Sequence, residues 1–220
     1  LRLNLAQVLD SSLTELISHD VAAAVLGKGK LLLLPCEDGA KESKRNIVID
    51  FLFERIRHYG RTVQTLRDDV MEAVLKSADR HAIDIVDLFD KMKSLQQITV
   101  RAEFDPLIVG FKRAHRLTEK EQWDRKPVEA SLFQEAAESA LHQTVQTSQE
   151  EYSAAMAGGN YGQALDVLVR MKGPIDDFFN AVMVNADDPA VRGNRLSLLK
   201  GVDDLFMSFA DFSQIVVQGT

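Results

Sequence analysis

The sequence predicts an all-α protein, a multi-helix bundle, on three observations. Apolar residues recur at the three-then-four spacing of amphipathic helices through most of the chain. The period-two alternation of half-buried strands is nearly absent. Turn-forming residues punctuate the apolar runs at Gly60, Gly158-Gly159, Gly173-Pro174 and Asp188-Pro189.

Leu5, Val8, Leu9, Leu13, Leu16 and Ile17 give mixed helical spacing between Leu3 and Leu26. Gly27-Lys28-Gly29-Lys30 reads as a turn. It lacks the wider glycine spacing, and the Ser or Thr after lysine, of a phosphate loop. The polar stretch Pro35 to Asn46 reads as a surface loop. Residues 1–45 are therefore expected to be an N-terminal helical segment and loop, and 46–220 a helical domain. In Asn46 to Tyr59 the positions Ile47, Val48, Phe51, Leu52, Arg55, Ile56 and Tyr59 keep helical rhythm, and Gly60 is expected to stop the helix. Asp68 or Asp69 is expected to cap a short helix through Met71, Val74, Leu75 and Ala78. Ile83 to Ile98 carries Ile85, Leu88, Phe89, Met92 and Leu95 on one face. Phe104, Leu107, Ile108 and Phe111 begin another helix, which ends in the charged stretch Lys112 to Lys126. Ser131 to Met156 is long, with Leu132, Phe133, Ala136, Ala140 and Val145 expected inward. Asn160 is placed as the cap of a helix carrying Ala164, Leu165, Leu168 and Met171. Gly173-Pro174 ends it and starts the next, since proline fits a first helical turn. The last helix opens at Asp188-Pro189, with Val191, Leu198, Leu199, Val202, Leu205, Phe206 and Phe209 as core positions. The chain's final fifth thus encodes two amphipathic helices joined by an acidic turn.

The 220 residues allow one domain or two small ones. Hydrophobic residues make up 45%, enough for an ordinary core. No apolar stretch approaches the roughly 18–20 residues of a membrane span, and no secretory leader is visible. The single Cys36 excludes an internal disulfide framework and a cysteine-rich metal site. These features point to a reducing cytoplasm. Because the chain begins at Leu1, it is expected to start inside a longer polypeptide. The net charge is −7, whereas free-standing nucleic-acid binders are usually basic. The charge is segregated, however. Arg55, Arg57, Arg61 and Arg67 lie in a stretch without an acid, while Pro127 to Val191 holds ten acids against Arg170 and Lys172. For docking a polyanion, local field outweighs the total.

No catalytic constellation is legible. His19-Asp20 could be part of a metal-dependent phosphohydrolase site, but His58, His81, His115 and His142 lack ligand spacing. No metal site is therefore expected, and no nucleophile elbow is present. The paired carboxylates Asp68-Asp69, Asp176-Asp177, Asp187-Asp188 and Asp203-Asp204 read mostly as helix-start residues. Arg55-Ile56-Arg57-His58-Tyr59 is the strongest candidate for nucleic-acid contact. Arginine grips phosphate bidentately, and an exposed Tyr or His stacks an unpaired base. The alternative is a solvated helix face with Tyr59 in the core. Lys112, Arg113 and Arg116 carry the same two readings. Trp123 reads equally as a packed anchor. Arg192 and Arg195, one turn apart, either reach RNA or pair with Asp187, Asp188 or helix-end carbonyls.

Several of these blocks resemble, in order, the bacterial-type glycyl-tRNA synthetase beta subunit. Ile49-Asp50-Phe51-Leu52-Phe53-Glu54-Arg55-Ile56-Arg57-His58-Tyr59 is similar to a family helix, and so is Asp87-Leu88 through Lys93-Ser94-Leu95. Phe111-Lys112-Arg113-Ala114-His115-Arg116-Leu117 resembles the family's F-K-R-V-A-N-I, with Ala for Val and Arg-Leu for the Asn-Ile ending. Tyr161 to Leu168 and Phe178 to Lys200 match best. Within the latter, Val182-Met183-Val184, the acidic turn and Asn194-Arg195-Leu196 form the most specific combination. The stretch from Leu31 to Asn46 looks like a lineage-specific variation.

The resemblance implies that 46–220 is an anticodon-binding domain of the arginyl type and that 1–45 continues from an upstream region. It implies a tRNA-recognition part of an aminoacyl-tRNA synthetase, a ligase joining glycine to its tRNA. The implied partners are glycine tRNA and an alpha subunit or fused alpha region, with neither membrane nor DNA involved. The fragment itself would hold no catalytic residue and no cofactor, the parent enzyme using ATP and Mg. The implied tRNA contacts are Arg55, Arg57, His58, Tyr59, Lys112, Arg113, Arg116, Arg192 and Arg195. A helical protein-interaction module of a larger cytoplasmic assembly is the alternative. The tetratricopeptide-like Tyr161 to Leu168 motivates it, although no second copy follows about 34 residues away.

Overall fold

A computed structural model describes residues 23–26, 30–33, 39–80 and 82–217. Its body is all-α, as the periodicity predicts. Helices run over Gly39–Thr62 (α1), Asp68–Ser77 (α2), Ile85–Ile98 (α3), Phe104–Lys120 (α4), Ala136–Ala157 (α5), Tyr161–Arg170 (α6), Lys172–Ala181 (α7) and Pro189–Met207 (α8). Short 3-10 turns at Ala130–Leu132 and Phe212–Gln214 complete it.

The front of the chain departs from expectation. Ala23–Leu26 (β1) pairs antiparallel with Lys30–Leu33 (β2), joining Ala23 to Leu33 and Leu26 to Lys30. Ala82–Asp84 (β3) adds to β2, with Lys30 opposite Asp84, in the order β1-β2-β3. Short continuous apolar runs such as 30–33 fit a strand and a buried helix equally by period. The helical expectation for residues 3–22, His19-Asp20 and Cys36 lies outside the described residues. Helix α1 starts at Gly39, inside the expected loop. Ala, Lys, Glu and Arg in that polar stretch are good helix formers, and polarity alone does not make a loop.

Gly60 does not stop α1, which continues to Thr62. It is buried, and a Cβ there would run into Met71 Sδ. The absence of a side chain there makes room for Met71 of α2. The buried face of α1 is Ile49, Leu52, Phe53, Ile56 and Gly60. Arg55, counted in the expected stripe, is exposed.

Helix α2 opens at Asp68 and Asp69, but its cap position is Arg67 and no side chain caps it. Helix α3 starts two residues later than expected. Ile83 belongs to β3, and Asp84 accepts from the Val86 and Asp87 amides at 3.1 Å. In α5 the buried line is Glu138, Leu141, Ser148, Tyr152 and Ala155. Ala136 and Ala140 are exposed, and Leu132 and Phe133 precede the helix. Val145, also expected inward, is half-buried and packs against the core, whereas the alanines give the periodicity too little amplitude to set the face. Gly159 adopts φ +67°, a left-handed geometry that suits glycine at a helix end. Asn160 occupies the cap of α6 without a capping hydrogen bond. The break before α7 falls at Met171, leaving Gly173 and Pro174 inside its first turn. Asp188 caps α8 by accepting from Ala190 N at 2.8 Å. Every core position expected in α3 and α8 is buried.

The bundle centres on α4 against α8. Phe111 stacks on Phe206 at 5.0 Å, and Phe212 packs edge-on to both. The C-terminal segment ties α2 and α4 to this centre. Asp211 N donates to Ala73 O at 2.8 Å, Val216 N to Asp69 Oδ2 at 2.8 Å, and Lys112 Nζ to Ile215 O at 2.6 Å.

Candidate nucleic-acid interface

The segment after α7 determines the site. Val182 and Val184 are buried and Met183 between them is 77% exposed. This is local period-two alternation that sends 183 and 185 outward. Arg195 holds the segment in place. Its Nη1 donates to Met183 O at 2.8 Å, its Nε to Glu138 Oε1 at 2.9 Å and its Nη2 to Gln134 Oε1 at 3.0 Å. Glu138 also accepts from the Gln134 and Glu135 amides, each at 2.8 Å. Burial pushes the Glu138 carboxyl up. The hydrogen bonds from Arg195 and the two amides outweigh it, so the group sits below the usual carboxylate value.

Opposite this segment stands α4. Val109, Arg113 and Arg116 are exposed and, at i, i+4 and i+7, share a face. The Arg113 guanidinium lies 4.1 Å from the Phe179 ring centroid. Arg116 has no side-chain partner among the described residues. The two arginines, Leu117, Met183 and Asn185 bound a cleft of about 310 Å³.

The other expected contact residues are dispersed. Arg55 is exposed, its guanidinium 4.7 Å from the Phe51 ring. Arg57 turns the other way and binds Glu72 through two nitrogens, with Glu54 at 2.9 Å. The Glu72 hydrogen bond, above all, raises its pKa. His58 is exposed. Tyr59 is half-buried, edge-on to Phe89 at 5.4 Å, and accepts from Gln64 Nε2 at 3.3 Å. Lys112 is engaged with Ile215 O as described. Arg192 lies half-buried beside Trp123, whose Nε1 donates to Ser197 Oγ at 3.1 Å. Arg195 does not face Asp187 or Asp188, and its donors are directed into the protein. So Arg55 and His58 share one exposed patch, Arg113 and Arg116 another, while Arg57, Lys112 and Arg195 hold the fold together.

Of the carboxylate pairs, Asp68-Asp69 and Asp188 stand at helix starts. Asp176 instead pairs with Lys172 at 2.7 Å within α7, and Asp203 with Lys200 at 3.2 Å near the end of α8. Asp203 also meets His115 Nδ1 at 2.7 Å. Sequence reasoning missed Glu138, Phe179 and Met183. An acid at a helix start reads as a dipole partner, and nothing local marks it as the buried mate of an arginine 57 residues away. No described helix is long and apolar enough to cross a membrane.

Comparison with known proteins finds likeness over the same helices. The profile of the DALR anticodon binding domain matches residues 107–211, from α4 through Asp211. Arg113, Arg116, Arg192 and Arg195 lie inside the match, and the α1 patch lies before it. Curated relatives named glycine--tRNA ligase beta subunit are similar over more of the chain. That of Geotalea daltonii is 38% identical over 161 residues, 71% of this chain and 23% of the relative. Those of Syntrophomonas wolfei and Chromohalobacter salexigens are 31% and 30% identical, over 82% and 94% of this chain and 25% and 28% of theirs. The chain thus spans about a quarter of the length of the curated relatives it matches. Residues 107–211 are thus similar to the DALR anticodon-binding domain, in a chain whose similarity to glycine--tRNA ligase beta subunits extends to the N-terminal side of that match.

Proposed function

We propose that this chain is the tRNA-recognition part of a glycyl-tRNA synthetase, gripping the anticodon arm of glycine tRNA in the cytoplasm. The joining of glycine, with ATP and Mg, then falls to an alpha subunit or fused alpha region bound elsewhere on the parent protein. The domain is taken as 46–220, since α1 to α3 pack on the same core as the matched helices, with 1–45 leading in from an upstream region. One observation carries the reading. The anticodon-binding match runs over α4 to α8, and the outward face of α4 in that match presents Arg113 and Arg116 to solvent. Exposed arginine is the residue type that docks phosphate. Arg55 and His58 add a second, separate basic patch on α1. The net charge of −7 does not by itself oppose this, because local field outweighs the total in docking a polyanion.

Fluorescence anisotropy with two labelled halves of glycine tRNA tests the reading. The anticodon stem-loop is expected to bind the chain more tightly than the acceptor minihelix. Equal affinity for the two halves, or binding of neither, would contradict it.

A further inference from the structure

Four surface clefts differ sharply in charge. One is lined by Asp50, Glu54 and Glu72 with Arg57, Lys76 and Arg80, a second by Asp79, Asp84 and Asp87 with Lys91, and a third by Asp124 and Glu129 with Lys126 and Arg192. The cleft between α4 and the segment after α7 carries Arg113 and Arg116 and no acid. Phosphate meets mixed charge in the first and third and an excess of acids in the second. Only the last suits an anionic occupant throughout.

That cleft has more than charge. At about 310 Å³ it stands at the small end of the ~300–1,000 Å³ range of ligand sites. Such a space suits one nucleotide, not a helix of protein or RNA. Met183 projects into solvent at its rim. Its backbone is fixed by Arg195 and by the burial of Val182 and Val184, so the exposed thioether sits on a rigid support. Thioethers make favourable contacts with aromatic rings. Asn185, two residues on, points the same way and offers both a donor and an acceptor. Arg113 is held over the Phe179 ring, and the guanidinium has further donors for phosphate. Paired RNA hides its base faces, whereas loop nucleotides splay out and are read by ring contacts and base-edge hydrogen bonds.

We propose that this cleft receives one unpaired nucleotide of the bound RNA. Met183 lies against its base, Asn185 bonds its edge, and Arg113 and Arg116 hold the flanking phosphates. The proposal rests on the tRNA reading above and goes beyond it by assigning a base-reading pocket.

The test uses the whole chain and a glycine anticodon stem-loop in which each loop base is removed in turn. Met183→Ala and Asn185→Ala are each expected to weaken binding of the intact loop about 10-fold, near the low end of base-stacking contributions. Met183→Leu, which keeps the bulk, retains most of the affinity. Removal of one particular base should weaken wild type similarly and add little further loss in Met183→Ala, because the two changes delete one contact. Thermal melts confirm that the variants fold, which exposure of both side chains favours. Wild-type binding of the loop with unchanged affinity in Met183→Ala and Asn185→Ala would overturn the pocket and leave the tRNA reading standing. Failure of wild type to bind any loop would overturn both.

Discussion

Arg195 Nε donates to Glu138 Oε1 at 2.9 Å inside the core, and the same guanidinium donates to Met183 O at 2.8 Å. One buried cation therefore ties α8 to the start of α5 and sets the segment that borders the α4 cleft. Replacing Arg195 by Met leaves the Glu138 carboxylate buried without its partner. A loss of about 3–5 kcal/mol is expected on urea unfolding, the usual cost of breaking a buried pair. Adding Glu138→Gln should recover much of it. Equal losses in the single and double variants would show that the pair is not the source.

Acid should unfold the protein partly through the same group. Glu138, Asp69 and Asp211 all sit below their usual carboxylate values. In each, burial acts upward and is outweighed by hydrogen bonds: from Arg195, from Arg67 and Val216 N, and from Ser213, with the ammonium of Lys76 adding to the last. Groups depressed in the folded state contribute stability that is complete above their unfolded value of roughly 4 and is lost as pH falls through the folded value. Urea midpoints should hold steady from pH 7 to about 5 and drop below about 4. Glu138→Gln with Arg195→Met should flatten that drop. A midpoint falling chiefly between pH 7 and 5 would contradict the assignment.

Arg55 and Arg57 should separate in experiment. Arg57→Ala breaks a bidentate, partly exposed pair with Glu72 and is expected to cost about 1 kcal/mol. Arg55→Ala removes an exposed side chain and should change stability by less than about 0.5 kcal/mol while weakening tRNA binding. Chemical unfolding and anisotropy together distinguish them, and the reverse pattern would misplace both residues.

Much of this was legible in the sequence. The helices α3, α4 and α8 were recoverable because Ile, Leu and Phe at regular spacing give a strong signal, and Asp188-Pro189 marks a start that the backbone uses. The face of α5 was not, because Ala, Ser and Glu line it. The cationic candidates were legible as residue types and not as roles. Arg55 and Arg57 are two positions apart, hence on opposite sides of α1, yet period alone did not say which side met α2. Arg195 lay in the right motif, but its partner Glu138 is distant in sequence.

Thr65 holds φ +55°, a left-handed conformation disfavoured for a β-branched residue. Gln96 secures it, donating to Thr65 O at 3.1 Å and accepting from Arg67 N at 2.8 Å. Asparagine tolerates this region better. Thr65→Asn is expected to stabilise the protein by up to about 1 kcal/mol, visible as a higher thermal midpoint. A lower midpoint would show that the turn is not strained.

The most direct test of tRNA recognition is a salt titration of glycine tRNA binding to the wild-type chain and to Arg113→Ala/Arg116→Ala. Wild-type affinity should fall steeply and linearly in a log–log plot. The double variant should bind more weakly at low salt, with a slope shallower by about 1–2. Identical slopes and affinities for the two proteins would remove the α4 face from RNA binding, and no preference for glycine tRNA over an unrelated tRNA would contradict the function itself.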